Sequence, residues 1–275
     1  VPYNNCQDYP NDPLENAIYV EGADDGVFND NDYVLFYGQG AVEWMYDSTS
    51  STYFHYQNPY SKANYYWITF GGSNGIRMQN VISPNIPNVT VPTSFVDRTF
   101  ENPEINNLGA TGLLWVSQRI GLNESFSFNK ELKGYIDGTD VNLRMRIGNG
   151  STVDNYFSII DANSQFQTIK YVYPVTGLFS FAKINLDYLG SSQLGVSYPL
   201  NSGKNSVNLK VSLPSSAGNS AQSAGYYDYY EVLYSRTFAS ADGNVLRFNG
   251  IDTTGTVEYR PSGFNTGDVK IFDVT

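Results

Sequence analysis

Cysteine and histidine are almost absent from this sequence: its 275 residues hold one of each, Cys6 and His55. A single cysteine forms no internal disulfide and no thiolate zinc site, and a lone histidine builds no zinc centre of the usual nitrogen kind. Thiol catalysis needs a cysteine activated by a base that a third group orients. Cys6 lies in "VPYNNCQDYP" and His55 in "YFHYQNPY", an aromatic context suited to a packed ring, so no dyad is expected. Positive charge is scarce as well: 16 Lys and Arg stand against 27 Asp and Glu, a net charge of -11. That balance argues against nucleic acid, which needs clustered cations, and suits solvation, cation binding or a basic partner. No apolar run approaches the roughly 20 residues of a helical membrane span, and no signal segment opens the chain. Gly71, Gly72 and Gly75 in "FGGSNG" lack the Lys and Ser or Thr of a phosphate loop. The runs of Ala, Glu, Lys and Leu that mark helices are missing too.

What the chain has instead is Tyr (23), Phe (16) and Gly (25), a composition that favours strands and turns. "DVNLRMRIGNG" alternates Val141, Leu143, Met145 and Ile147 with Asn142, Arg144 and Arg146, which predicts a strand with one apolar and one solvated face. "SVNLKVSLP" repeats the pattern with Val207, Leu209, Val211 and Leu213, and Pro214 is expected to stop it. "YYDYYEVLYSRTF" reads as a longer strand with Tyr226, Tyr230, Val232, Tyr234 and Phe238 on one side. Further strand candidates are "YVLFYG", "YYWITFG", "FSFNKELKGYI", "NYFSIIDA", "TIKYVYPV", "FAKINLDYL", "TVEYRP" and "DVKIFDV". Many short strands between Gly, Pro, Asn and Ser turns predict an all-β chain of one or two β-sandwich, jelly-roll-like domains.

Strand periodicity lapses in "TFENPEINNLGATGLLW". The expected organisation is a smaller aromatic-rich β unit over 1–98, a connecting segment over 99–114 and a sandwich over 115–240. Terminal strands over 241–275 either extend that sandwich or return to the first unit. The abrupt start "VPYNNCQDYP" is that expected of a mature or truncated product, a piece of something longer.

"YVEGADDGVFNDNDYVLFYGQG", residues 19–40, gathers carboxylates and amides before an aromatic strand. An EF-type calcium loop takes oxygen ligands at positions 1, 3, 5, 7, 9 and 12 around a glycine at 6. With Gly26 at 6, Glu21 stands at 1, Asp25 at 5, the Val27 carbonyl at 7, Asn29 at 9 and Asp32 at 12. Ala23 at 3 and strand-like flanks depart from the pattern. Two readings stay open: a loop holding Ca2+ through hard oxygens, or a turn whose Asp and Asn side chains cap their own backbone.

The same stretch carries a resemblance. "LENAIYVEGADDGVFNDNDYVLFYGQG", then "WMYD", "FHYQNPYSKANYYWITFG" and "FVDRTFENPEINNL", resembles the region upstream of the peptidase domain in PorU-type proteins, gingipain-related cysteine peptidases that include the sortase of the type IX secretion system. "AGYYDYYEVLYSRTF" resembles that family's tyrosine-containing strand, and "YRPSGFNTGDVKIFDVT" resembles the segment that runs into its catalytic domain. The likeness is most specific over residues 14–70 and rests on the β pattern alone between 120 and 220. It implies a secreted or surface-exposed, non-catalytic accessory region whose partner is a downstream peptidase domain. No catalytic motif of the family falls within residues 1–275, so no nucleophile or base is carried over.

The aromatic content supports a different class of function. Carbohydrate-binding jelly rolls stack sugar rings on exposed Trp and Tyr, and Trp44, Trp67 and Trp115 with the doublets Tyr65-Tyr66, Tyr226-Tyr227 and Tyr229-Tyr230 are candidates. The same rings also suit plain β core. In a strand each doublet sends one ring to either face. "NVT" at 88, "NES" at 123 and "NGS" at 149 match the glycosylation acceptor pattern by chance.

Overall fold

A computed structural model describes residues 13–58, 60–83, 85–110, 112, 115–174, 185–188, 195–216, 224–239, 243–251 and 253–274. The chain is nearly all β and divides into two compact units, one of residues 1–87 with 270–275 and one of residues 88–269. The division thus falls before the stretch where periodicity lapses.

The first unit contains two hairpins. Strand β1 (Ile18–Glu21) pairs antiparallel with β2 (Tyr33–Phe36), and β3 (Val42–Asp47) with β4 (Thr52–Gln57). The outer edge of β1 takes up residues 76–78: the Ile18 amide donates to the Ile76 carbonyl and the Met78 amide to that of Ile18. Among the described residues of this unit no apolar side chain is buried; Thr52 alone is.

The second unit is a sandwich. Its strands are β5 (Ser94–Glu101), β6 (Asn106–Asn107), β7 (Trp115–Val116), β8 (Gln118–Gly121), β9 (Ser125–Glu131), β10 (Asp140–Asn149), β11 (Asn155–Asp161), β12 (Gln167–Val172), β13 (Asn185–Tyr188), β14 (Val196–Pro199), β15 (Ser206–Ser216) and β16 (Ala224–Thr237). One sheet runs β13-β10-β16-β5, the other β12-β11-β15-β9. Strands β13 and β14 share the outer edge of β10, and β5 and β8 share that of β16. Treating β13 with β14, and β5 with β8, as single positions, the chain crosses from one sheet to the other at every step except the β11–β12 pair, and β5 lies beside β16, which is the double Greek key of a jelly roll. The two inner faces meet in one core. Val141, Leu143, Met145 and Ile147 of β10 and Tyr227, Tyr230 and Val232 of β16 come from one sheet; Phe157 and Ile159 of β11 and Val207, Leu209, Val211 and Leu213 of β15 come from the other. Phe128 stacks flat on Tyr230 with ring centroids 4.5 Å apart.

Several expectations are corrected by pairing that the sequence pattern does not encode. Pro214 does not end its strand: β15 continues to Ser216, and the register against β11 shifts between Tyr156 and Ser158, where Leu213 and Pro214 are accommodated. A bulge needs no ladder amide from proline. In β16 the register shifts opposite Arg146 and Ile147, so Tyr227 rather than Tyr226 joins Tyr230, Val232 and Tyr234 inside. The outer face of β10 is not uniformly solvated, because Arg144 is buried against Glu231 of the adjacent strand. "YYWITFG", "TVEYRP" and "DVKIFDV" form no strands; Val257 makes only an isolated bridge to Thr90. "TFE" of the expected connecting segment closes β5, held to β16 from Tyr230↔Glu101 to Thr237↔Ser94.

Candidate functional site

The acidic stretch is built on the β1–β2 connection. Gly22 (φ +78°) opens a single 3-10 turn, Ala23–Asp25, which Gly26 (φ +74°) closes. Gly22 is required twice over, since a Cβ there would fall 1.7 Å from Asp32 Oδ1 as well as strain the backbone. Asp25 Oδ1 accepts the Val27 amide at 2.9 Å, Asp32 Oδ2 accepts the Asn29 amide at 2.8 Å, and Asn29 Oδ1 accepts the Asn31 amide at 3.3 Å. Each is a side chain capping its own turn. Val27 and Phe28 point outward and, with Val20, Glu21, Gly22 and Gly26, line a shallow concavity of about 200 Å³.

Glu21 is engaged elsewhere. Its Oε2 accepts Lys270 Nζ at 2.7 Å and the Tyr19 hydroxyl, while Lys270 also donates to that hydroxyl at 2.8 Å and lies 4.5 Å above the Tyr19 ring. These hydrogen bonds, Lys270's first, hold the Glu21 carboxyl below its ordinary range, and the same bonds raise Lys270. Phe272 meets Tyr19 edge-on at 6.0 Å. Nothing local in "DVKIFDV" announces that contact, because its partner lies some 250 residues earlier in the chain. Among the described residues no group of three or more His, Cys, Asp or Glu is placed to share a metal ion.

The tryptophan candidates do not share a face. Trp44 is half-buried on β3, edge-on to His55 across the β3–β4 pair. Trp115, on β7 of the second unit, donates its indole N–H to the Gly112 carbonyl at 3.1 Å. Trp67 stands 77% exposed in an extended stretch with Ile68 (79%) and Phe70 (96%). That stretch is anchored at its start: Asn64 Nδ2 donates to the carbonyls of Gln39 and Gly40, the Tyr66 hydroxyl donates to Gln39 at 2.8 Å, and the Tyr66 ring packs 5.3 Å from Phe36. Val81 and Ile82 of the same unit are 83% and 91% exposed. The unit is also the acidic one, with eleven Asp and Glu against three Lys and Arg, a net -8 of the chain's -11.

In the second unit the buried carboxylate of Asp161 and the half-buried one of Asp97 are occupied by internal donors. Asp161 accepts the Asn163 and Asn208 amides, both at 2.9 Å, and the Tyr198 hydroxyl at 3.0 Å. Asp97 accepts Arg236 at 2.7 Å and Tyr234 at 3.0 Å. Asp228, at the β16 bulge, is different. Burial pushes its carboxyl up to about 7 against the opposing pull of Arg146, whose Nη1 lies 3.6 Å away; Glu104 adds to the rise. Asn149 is wholly buried, bonded to Val153, Val172, Ser151 and Asn155, which closes its acceptor motif to modification.

No family model and no curated protein sequence matches the chain. Its fold is similar to that of a dimeric latent PorU from Porphyromonas gingivalis, solved as a crystal structure, with a TM-score of 0.60 and 12% identity over 88% of this chain. The chain spans 22% of that protein's length. A lesser likeness links 42% of the chain to 19% of the insecticidal delta-endotoxin Cry8Ea1 of Bacillus thuringiensis, at 17% identity and a TM-score of 0.31, too low to carry an argument.

Proposed function

We propose that this chain is a non-catalytic, β-rich accessory region of a secreted or surface-exposed PorU-related protein, a gingipain-related cysteine peptidase or type IX secretion sortase. In this reading it serves as the structural platform on which the peptidase domain sits. The fold likeness over 88% of the chain supplies the context. The observation that carries the reading is the first unit, which among its described residues buries no apolar side chain while exposing Trp67, Ile68, Phe70, Val81 and Ile82. An uncovered apolar surface of that kind marks a site that another protein surface covers.

The test is to produce the polypeptide that the same gene encodes beyond Thr275 and mix it with the purified chain. A stoichiometric complex supports the platform reading. A gene that ends at Thr275, or two folded pieces that ignore each other at micromolar concentration, overturns it. The chain alone is expected to show no peptidase turnover sensitive to thiol reagents.

A second reading, a carbohydrate-binding or adhesive module, is favoured by the exposure of Trp67 beside Tyr65. Glycan-array binding lost in Trp67→Ala decides for it. Calcium at Glu21, Asp25, Val27, Asn29 and Asp32 is likewise a proposal. It requires the ion to displace Lys270 and the turn amides, and it predicts a melting temperature lowered by chelator and restored by calcium. Indifference to both, in the parent and in Asp25→Ala/Asp32→Ala, assigns those carboxylates to the turn.

A further inference from the structure

The segment Tyr65-Tyr66-Trp67-Ile68-Thr69-Phe70 consists of six consecutive strand-forming residues. It is nonetheless unpaired among the described residues: no backbone hydrogen bond joins these six residues to any of them, and none of the six belongs to a strand. Intrinsic preference and available partners therefore disagree here. Backbone groups of such a stretch in water are a template for pairing with another chain. All six side chains are exposed, and the anchors at Asn64 and Tyr66 fix where the stretch begins. A segment held in this way loses less freedom on docking than a free one.

Resting on the platform reading, we infer that Tyr65–Phe70 is a docking strand that pairs with the exposed sheet edge of a partner domain, and that this edge is apolar and basic. Strand addition takes its affinity from main-chain hydrogen bonds and its choice of partner from alternating side chains. The charge points to a basic partner. The unit carries a net -8, and of its three cations Lys270 is already held by Glu21 and Tyr19. A second copy would bring the same negative charge to the interface, and like-charge juxtaposition opposes that pairing. The uncharged run from Ala63 to Ile76 leaves the strand itself free of repulsion toward a basic edge.

The experiment uses the 275-residue chain and three labelled peptides of about ten residues, strand length for a globular sheet. One alternates Lys with Val, one alternates Glu with Val, and one is the Lys-Val peptide interrupted by proline. Fluorescence anisotropy should show the Lys-Val peptide binding at least about tenfold tighter than either other peptide, with affinity falling as salt rises from about 0.05 to 0.5 M. Ile68→Pro and Trp67→Ser, both at exposed positions, should weaken it about tenfold or more. Ile169→Ser, at an exposed position of the second unit, should leave it unchanged. Far-UV circular dichroism confirms that each variant keeps its fold.

Equal binding of the Glu-Val peptide, indifference to Ile68→Pro, or no binding of the Lys-Val peptide at millimolar concentration overturns the inference. So does self-association in sedimentation at about 0.05 M salt, where like charge is least screened, that Ile68→Pro abolishes, because the occupant is then a second copy. If no peptide binds but the polypeptide beyond Thr275 still forms its complex, the docking strand falls and the platform stands. Peptide binding without that complex gives the reverse.

Discussion

Asp228 shows what one residue contributes and at what pH. Burial raises its carboxyl to about 7 from an ordinary 3.8, in spite of Arg146 at 3.6 Å. Between those values the folded state keeps a proton that the unfolded state has lost. Stability from this group therefore falls as pH rises from about 4 to about 7, and the loss is complete above that window. Asp228→Asn should flatten the decline, so the difference in melting temperature between parent and variant should grow in the variant's favour across pH 4 to 7. A constant difference would remove burial as the cause. Arg144 and Glu231 make a complementary case, an ion pair wholly inside the protein. Glu231→Ala should cost about 3–5 kcal/mol in urea unfolding, while replacing both residues by Met and Leu should cost far less. Neither pair was legible in the sequence: alternation put Arg144 and Arg146 on a solvated face. That a face is covered depends on elements far along the chain, which local periodicity does not report.

At the scale of the strand, sequence and structure agree where a stretch is buried on one side and paired on both. The alternation in 141–147 and 207–213 reads the inner faces of β10 and β15 correctly, since a one-residue slip would turn every core residue outward. Agreement fails at bulges, where one extra residue reverses the phase, as Tyr226 and Tyr227 show. It fails again where a strand-forming stretch joins no strand among the described residues, as in 65–70 and 268–274. Propensity describes what a segment can do, and the sheet decides whether it does. Gly225 marks a close approach between sheets: a Cβ there would lie 2.1 Å from the Phe157 ring, whose side chain is fully buried. Gly225→Ala should cost about 1–3 kcal/mol by overpacking, read as a lower urea midpoint with unchanged slope. A neutral result would mean that Phe157 has room to turn.

For the whole molecule, composition gave the class and a resemblance gave the likeness, and the fold comparison supports the PorU-like architecture and nothing finer. The candidate surface was half legible. Trp67 stood out as an aromatic, but its place in an exposed apolar stretch follows only from the structure, in which no described apolar side chain of the first unit is buried. Lys270, which ties the last residues of the first unit to Tyr19 and Glu21, gave no signal at all. The charge division between the two units also bears on behaviour in solution. With -8 on the first and -3 on the second, salt should promote association of the purified chain by screening repulsion around the exposed aromatics. Light scattering from about 0.05 to 0.5 M salt checks this, and Trp67→Ser/Phe70→Ser should abolish the rise.

The central claim is that the first unit is left open for a partner while the second is complete in itself. Hydrogen exchange with peptide-resolved mass spectrometry, run on this chain and on the gene product as its source organism makes it, tests that claim directly. In the isolated chain, residues 140–149 and 224–237 should be protected and residues 65–70 should exchange at near-unfolded rates. In the native product 65–70 should become protected to the level of a sheet. Strong protection of 65–70 in the isolated chain, or rapid exchange there in both, would contradict the account.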